Sequence, residues 1–225
     1  MAKLIFSSSW SERDENIDLI AERLTSLLTS LSDVDERLSG WKSVNNAIPV
    51  QPGIIKFLQS GKQTKDDLGR TDWPEAGIMV SAATGNKTDY SSFTMTAAAK
   101  DVNGNWSNHF TLESHEHIAK GKEIIIFKSI IDAMSPDRAT VTNFNLISKL
   151  LGDGFRNPLF GMINYERKLT KSSIYYNGVV IEELENGFLI DALSANGSDE
   201  AVFQRVAFIN DALSGLGKES GTHRP

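Results

Sequence analysis

The sequence predicts an α+β fold, a mostly antiparallel sheet covered by helices that include an N-terminal and a C-terminal amphipathic helix. Two periodic stripes and the order of the segments between them carry this reading. Ile17, Ile20, Leu24, Leu27 and Leu31 recur at intervals of three and four, as do Val202, Val206, Ile209, Leu213 and Leu216, so each set lies along one helical face. Between these helices, strand-like segments come in runs separated by turn signals. They do not alternate singly with helices, which argues against a doubly wound parallel sheet.

Taken in order, Lys3 to Phe6 reads as a short opening strand. A Ser-rich turn follows, in which Ser9 and Glu12 have capping-box spacing for the first helix. Pro49, Pro52, Gly53, Gly61 and Gly69 then punctuate a long connection from Gly40 to Trp73, with one short helix from Ile54 to Gln59. Gly77 to Ala82, Ser92 to Thr96 and Trp106 to Leu112 read as three antiparallel strands, divided by the turn signals TGN and VNGN. Ile118 to Met134 is assigned to helix, because Ile124, Phe127, Ile131 and Met134 keep helical spacing and Ser135-Pro136 supplies a stop. Four strands are expected after it: Ala139 to Phe144, Phe160 to Leu169, Ile174 to Glu182 and Gly187 to Leu193, with turns or bulges at Asn177-Gly178 and Asn186-Gly187. Ser198 or Asp199 can cap the last helix, and Gly215 and Gly217 can end it. A single domain over 1–217 with a disordered tail at 218–225 is the expected organisation.

Composition narrows the function classes. The 225 residues carry 23 basic and 29 acidic side chains, a net charge of −6, which disfavours nucleic acid as a partner and favours a basic protein. The absence of cysteine removes disulfides and thiolate catalysis. The apolar run near the N-terminus is too short for a signal peptide, and the longest apolar run, Ile124 to Phe127, falls far short of the ~20 residues that span a bilayer. A cytoplasmic protein without a membrane segment is the expectation.

Motifs that carry chemistry are sparse. His109, His115 and His117 fall close together, and in an extended ESHEH segment the last two share a face, yet no HExxH pattern accompanies them. Asp137 with Glu166 and Lys168 imitates a metal-dependent nuclease, in which the carboxylates hold Mg²⁺ and the lysine polarises water. That pattern requires Glu166 and Lys168 on one face of a strand, and a surface ion pair explains them equally well. SGKQT, LGKES and LGDGFRNPLFG lack the spacing of phosphate or dinucleotide loops, and no G-x-S-x-G elbow occurs. The residues therefore point to no enzyme, no cofactor and no metal. Trp10, Trp41, Trp73 and Trp106 are either seam-filling core or interface anchors.

The helix ending LLTSLSDVDERLSGW, the segments FGMINYERK and ENGFLIDAL, and the closing VFQRVAFINDALSGLG together resemble the immunity protein 52 family. These are antidotes encoded beside polymorphic bacterial toxins, many of which carry nuclease domains and are delivered by type VI secretion. The likeness spans most of the chain and is anchored at Leu31, Asp33 to Glu36, Leu38, Trp41 and the run from Ala212-Leu213 to Gly217. Val44 to Asp72 and the HEH segment have no counterpart in it. It implies stoichiometric binding and neutralisation of a cognate toxin, as against a nuclease using Asp137, Glu166 and Lys168 or an effector chaperone. Two acidic clusters are the expected contacts: Asp33, Asp35 and Glu36 with Trp41, and Glu182, Glu183 and Glu185. Within the first, Val34 and Leu38 are expected to fold the turn back, with Gly40 bending the chain, Trp41 sealing the helix on the sheet and the carboxylates forming a solvated rim. Oligomeric state and toxin identity stay open.

Overall fold

Along Lys3–Trp10 buried side chains alternate with half-exposed ones, as they must in a strand with one face on a core. The computed structural model describes residues 3–11, 13, 15–44, 49–51, 53–61, 77–86, 89–98, 108–154, 160–168, 178–194 and 198–213. The chain divides into two compact units, Met1–Ala139 and Thr140–Pro225. Both are α+β with antiparallel strand pairing, as the sequence predicts.

In the first unit, β1 (Lys3–Trp10) is twice its expected length. The serines do not form a turn. Ser7 and Ser9 occupy the less buried face, while Ser8 is buried and donates to the Phe110 carbonyl at 3.4 Å. The helix start therefore moves, and α1 (Ile17–Val34) is capped by Asn16, whose side chain accepts from Leu19 N at 3.0 Å. After α1 come a 3₁₀ turn at Glu36–Leu38, the two-residue β2 (Lys42–Ser43) and the expected short helix α2 (Ile54–Ser60).

The three predicted antiparallel strands are present as β3 (Ile78–Gly85), β4 (Tyr90–Ala97) and β5 (Asn108–His115). Strand order is β2-β3-β4-β5-β1, so the chain's first strand pairs with β5, Lys3 opposite His115 and Trp10 opposite Asn108. The expected helix after β5 is broken in two, α3 (Glu116–Ala119) and α4 (Glu123–Met134), around Gly121 at φ +77°. Helices α1 and α4 pack on each other and α1 also meets α2. The core of the unit holds Leu24, Leu27, Leu28 and Leu31 of α1 with Phe6, Phe93, Phe110, Leu112, Phe127 and Ile130.

The edge of β3 is sealed by short contacts. Met79 N donates to the Gly61 carbonyl at 2.8 Å, and a Cβ at Gly61 would lie 2.3 Å from the Met79 oxygen. The end of α2 can reach the strand only because this residue has no side chain.

The second unit opens within β6 (Arg138–Asn143). Directly after it stands α5 (Phe144–Gly152), a helix that the strand-rich reading of this region did not anticipate. Asn143 caps it by accepting from Leu146 N at 2.8 Å, and Leu146 and Leu150 bury one side. Strands β7 (Ile163–Glu166), β8 (Val180–Leu184) and β9 (Gly187–Asp191) follow in the order β7-β9-β8, with Glu185 and Asn186 turning the β8–β9 hairpin. The closing helix α6 (Asp199–Leu213) starts at Ser198, whose carbonyl accepts from Val202 N at 3.1 Å. Its buried Asn210 clamps Phe160 by accepting from the backbone N at 3.1 Å and donating to the oxygen at 2.9 Å. The expected VNGN turn, the first part of the predicted strand Ile174 to Glu182, Trp73, Trp106, Gly215, Gly217 and the tail 218–225 lie outside the described residues.

The β3–β4 hairpin makes the sharpest demand on a single residue. Gly85 sits at φ +94°, and a Cβ there would stand 2.2 Å from the Asp89 carbonyl oxygen. Gly85→Ala is expected to cost about 2 kcal/mol or more through strain and overlap together, read as a lowered urea midpoint at unchanged m-value.

Candidate functional site

The corner after α1 organises one end of the first unit. Asp33 is exposed in the last turn of the helix, and the backbone N–H of Asp35 closes that helix on the Leu31 carbonyl at 3.1 Å. The expectation of a solvated carboxylate rim is corrected at Asp35. Its side chain is only 6% exposed and accepts from Arg37 N and Nε at 2.9 Å each, from Arg37 Nη2 at 2.7 Å and from Lys122 Nζ at 2.6 Å. The Arg37 hydrogen bonds, with that from Lys122, hold its carboxyl well below the usual carboxylate range against the opposing effect of burial. Asp35 thus ties the corner to the residue before α4. Glu36 stays exposed.

Trp41 is also removed from the surface. It is 2% exposed, donates from Nε1 to the Leu38 carbonyl at 2.8 Å and rests against Phe93 with ring centroids 5.2 Å apart. Phe93 in turn stacks on Phe110 and meets Phe57 edge-on. Sealing the helix against the sheet is the role expected of Trp41, and it leaves no ring to present to a partner. Trp10 is likewise buried.

From Trp41 the chain enters β2, with Lys42 opposite Ala83 and Ser43 opposite Ala82. A groove of about 630 Å³ opens here, lined by Lys42, Ser43, Val44, Ala83, Thr84, Gly85, Asn86 and Tyr90. Its floor is shallow at Ala83, which projects only a methyl group; Val44, 59% exposed, and Tyr90, 36% exposed, rise beside it. Thr84 donates from Oγ1 to the Ser39 carbonyl, which fastens the corner to the groove.

Beyond Tyr90 lies a polar cluster. Lys3 Nζ stands 3.8 Å from the Tyr90 ring centroid and 3.4 Å from Glu113 Oε2. His115 meets Tyr90 edge-on at 6.0 Å and His117 at 5.4 Å. His117 Nε2 is 2.9 Å from Asp89 Oδ1, an ion-pair distance without the alignment of a hydrogen bond. His109 is elsewhere, 3.4 Å from Thr96 Oγ1, so the three histidines do not converge. Among the described residues no three His, Asp or Glu side chains are arranged to hold a metal ion.

On the groove's side of the sheet the register aligns half-buried side chains in rows, one of them made entirely of serine and threonine. Ser81, Thr94, Thr111 and Ser7 form one row across four strands, and Ala83, Ser92, Glu113 and Ile5 the next. Ser81 Oγ and Thr94 Oγ1 are 3.2 Å apart. Every one of these residues is half-buried, whereas the alternate positions Leu4, Phe6, Ala82, Phe93, Phe110 and Leu112 are buried.

The remaining sequence candidates fall out as follows. Glu182 and Glu183 are exposed on β8 and Glu185 in the turn after it, all in the second unit. For the nuclease pattern, Asp137 Oδ2 accepts from Ser11 N and Oγ at 2.7 Å each, so it serves as a loop clamp. β7 ends at Glu166, which is buried, while Lys168 is exposed in the following turn. Glu166 and Lys168 therefore do not share a strand face as that pattern requires, and Glu166 is no surface residue. Lys42, Val44 and Tyr90 were not among the candidates, and the signal for them was slight: an aromatic residue shortly after the TGN turn and a lysine after the marker tryptophan.

Asp35→Ala is expected to lower stability by about 2 kcal/mol, since it strips four donors of their acceptor while Arg37 and Lys122 keep partial access to water. The folded carboxyl titrates below its unfolded value of 3.8, so the contribution is full above that value and fades as pH falls beneath it. Denaturation curves for wild type and variant should accordingly converge in strong acid and separate near neutrality.

No protein-family model matches the chain, and no curated protein matches it. Among solved structures it is similar in fold to the Pseudomonas aeruginosa T6SS protein PA0821, with a TM-score of 0.54 and 9% sequence identity, over 96% of this chain and 76% of that one.

Proposed function

We propose that this protein is a type VI secretion-associated immunity protein that binds a cognate toxin, in particular a nuclease toxin, and neutralises it by forming a stoichiometric complex without catalysis. The observation that carries this is the shared fold with a T6SS protein over 96% of the chain. It accords with the resemblance of the segments around LLTSLSDVDERLSGW, FGMINYERK and VFQRVAFINDALSGLG to an antidote family. Net charge supports the same reading: at −6 the protein attracts a basic nuclease and accelerates encounter with it. The exposed carboxylates Asp33 and Glu36 in one unit and Glu182, Glu183 and Glu185 in the other supply that field locally. No helix of the described residues is long and apolar enough to cross a membrane, and a cytoplasmic site of action is part of the proposal.

Co-expression with the toxin encoded beside its gene is expected to restore growth to a sensitive bacterium, and the two purified proteins should co-elute at fixed stoichiometry with toxin activity abolished. Co-elution with full toxin activity would identify an escort in place of an antidote; absence of both binding and protection would end the immunity reading.

A further inference from the structure

The groove beside the corner has the features of a contact that is held. Lys42 stands exposed at its rim and has no ionic partner among the described residues, in a chain with 29 acidic and 23 basic side chains. Three cations nearby are engaged: Lys3 with Glu113, and Arg37 and Lys122 with Asp35. Val44 and Tyr90 expose apolar surface directly beside Lys42, and Ala83 projects only a methyl group into the groove between them. An isolated ammonium next to an exposed aliphatic and an aromatic side chain is complementary to a carboxylate next to an apolar group.

We infer that the groove between Lys42, Val44 and Tyr90, floored by Ala83, receives an extended segment of the toxin that presents a carboxylate beside an apolar side chain. This rests on the reading of the protein as an immunity protein and adds where and by what chemistry the toxin is held. The carboxylate meets the Lys42 ammonium. The apolar side chain fills the space between Val44 and the Tyr90 ring, which Lys3 braces from its own strand. Next to the groove floor the row Ser81–Thr94–Thr111–Ser7 supplies short hydroxyl side chains of low entropy, the composition that adaptable binding surfaces use. In this division of labour the acidic clusters set the association rate and the groove sets the dissociation rate.

The test is binding kinetics of the full-length protein on immobilised toxin from the neighbouring gene, inactivated in its catalytic residue, at low and moderate salt. Lys42→Glu and Ala83→Arg are expected to raise the dissociation rate roughly tenfold or more, with Lys42→Arg close to wild type. The double variant Asp33→Lys, Glu36→Lys should change chiefly the association rate and its salt dependence. Circular dichroism and thermal melts confirm that each variant is folded, and both groove positions lie outside the core, so a folded variant is obtainable from at least one. Wild-type binding that Lys42→Glu and Ala83→Arg leave unchanged would overturn the groove assignment and leave the immunity reading standing. A concentration-dependent dimer abolished by Ala83→Arg would give the groove to a second copy and overturn it as well. Failure of the wild type to bind the toxin would overturn both.

Discussion

Four hydrogen bonds converge on the carboxylate of Asp35, and the geometry of the groove descends from them. By accepting from Arg37 the side chain turns the 3₁₀ segment, and by accepting from Lys122 it fixes that segment to the start of α4, 87 positions along the chain. With the corner fixed, Leu38 is buried and its carbonyl receives the Trp41 indole, whose ring then settles on Phe93. Lys42 follows directly and pairs opposite Ala83. A charged group thus does work that an apolar residue could not, because it must satisfy backbone and side-chain donors at the same point. Its burial is tolerable since both cationic partners remain partly hydrated.

The sheet of the first unit is built from two interleaved sets of residues. One set is mostly large and apolar and meets the helices; the other is less buried and richer in serine and threonine, most fully in the row Ser81–Thr94–Thr111–Ser7. Each strand supplies both, since successive side chains point to opposite faces. β-branched threonine and small serine suit a pleated surface without filling it, and this leaves the depression along β3 beside the larger Val44 and Tyr90.

How much of this could be read from residue order depends on the range of the interaction concerned. The stripes of α1 and α6 and the three strands from Ile78 to His115 were legible because periodicity is local. Helix α5 was hidden by its brevity: Leu146, Ile147, Leu150 and Leu151 do lie along one helical face, but over only nine residues directly after a strand. Asn143, which caps it, was the signal available. The serines of β1 read as a turn by composition and became strand through pairing with β5, some hundred residues away. In the candidate site, the corner itself was visible and the role of Trp41 as a seal was read correctly, but the fate of Asp35 was not, because Lys122 reaches it only in the folded chain. The groove was illegible for a related reason: it lies over a residue as small as Ala83, at a place set by strand register.

Interleaving has an evolutionary corollary for the rows of short side chains. Replacing Ser81, Thr94, Thr111 or Ser92 removes little buried apolar surface, so such changes are expected to be nearly neutral for folding. Substitution can therefore rewrite every second residue of a strand while the core set is held by packing. A backbone held in this way constrains chiefly the inward-facing residues of each strand.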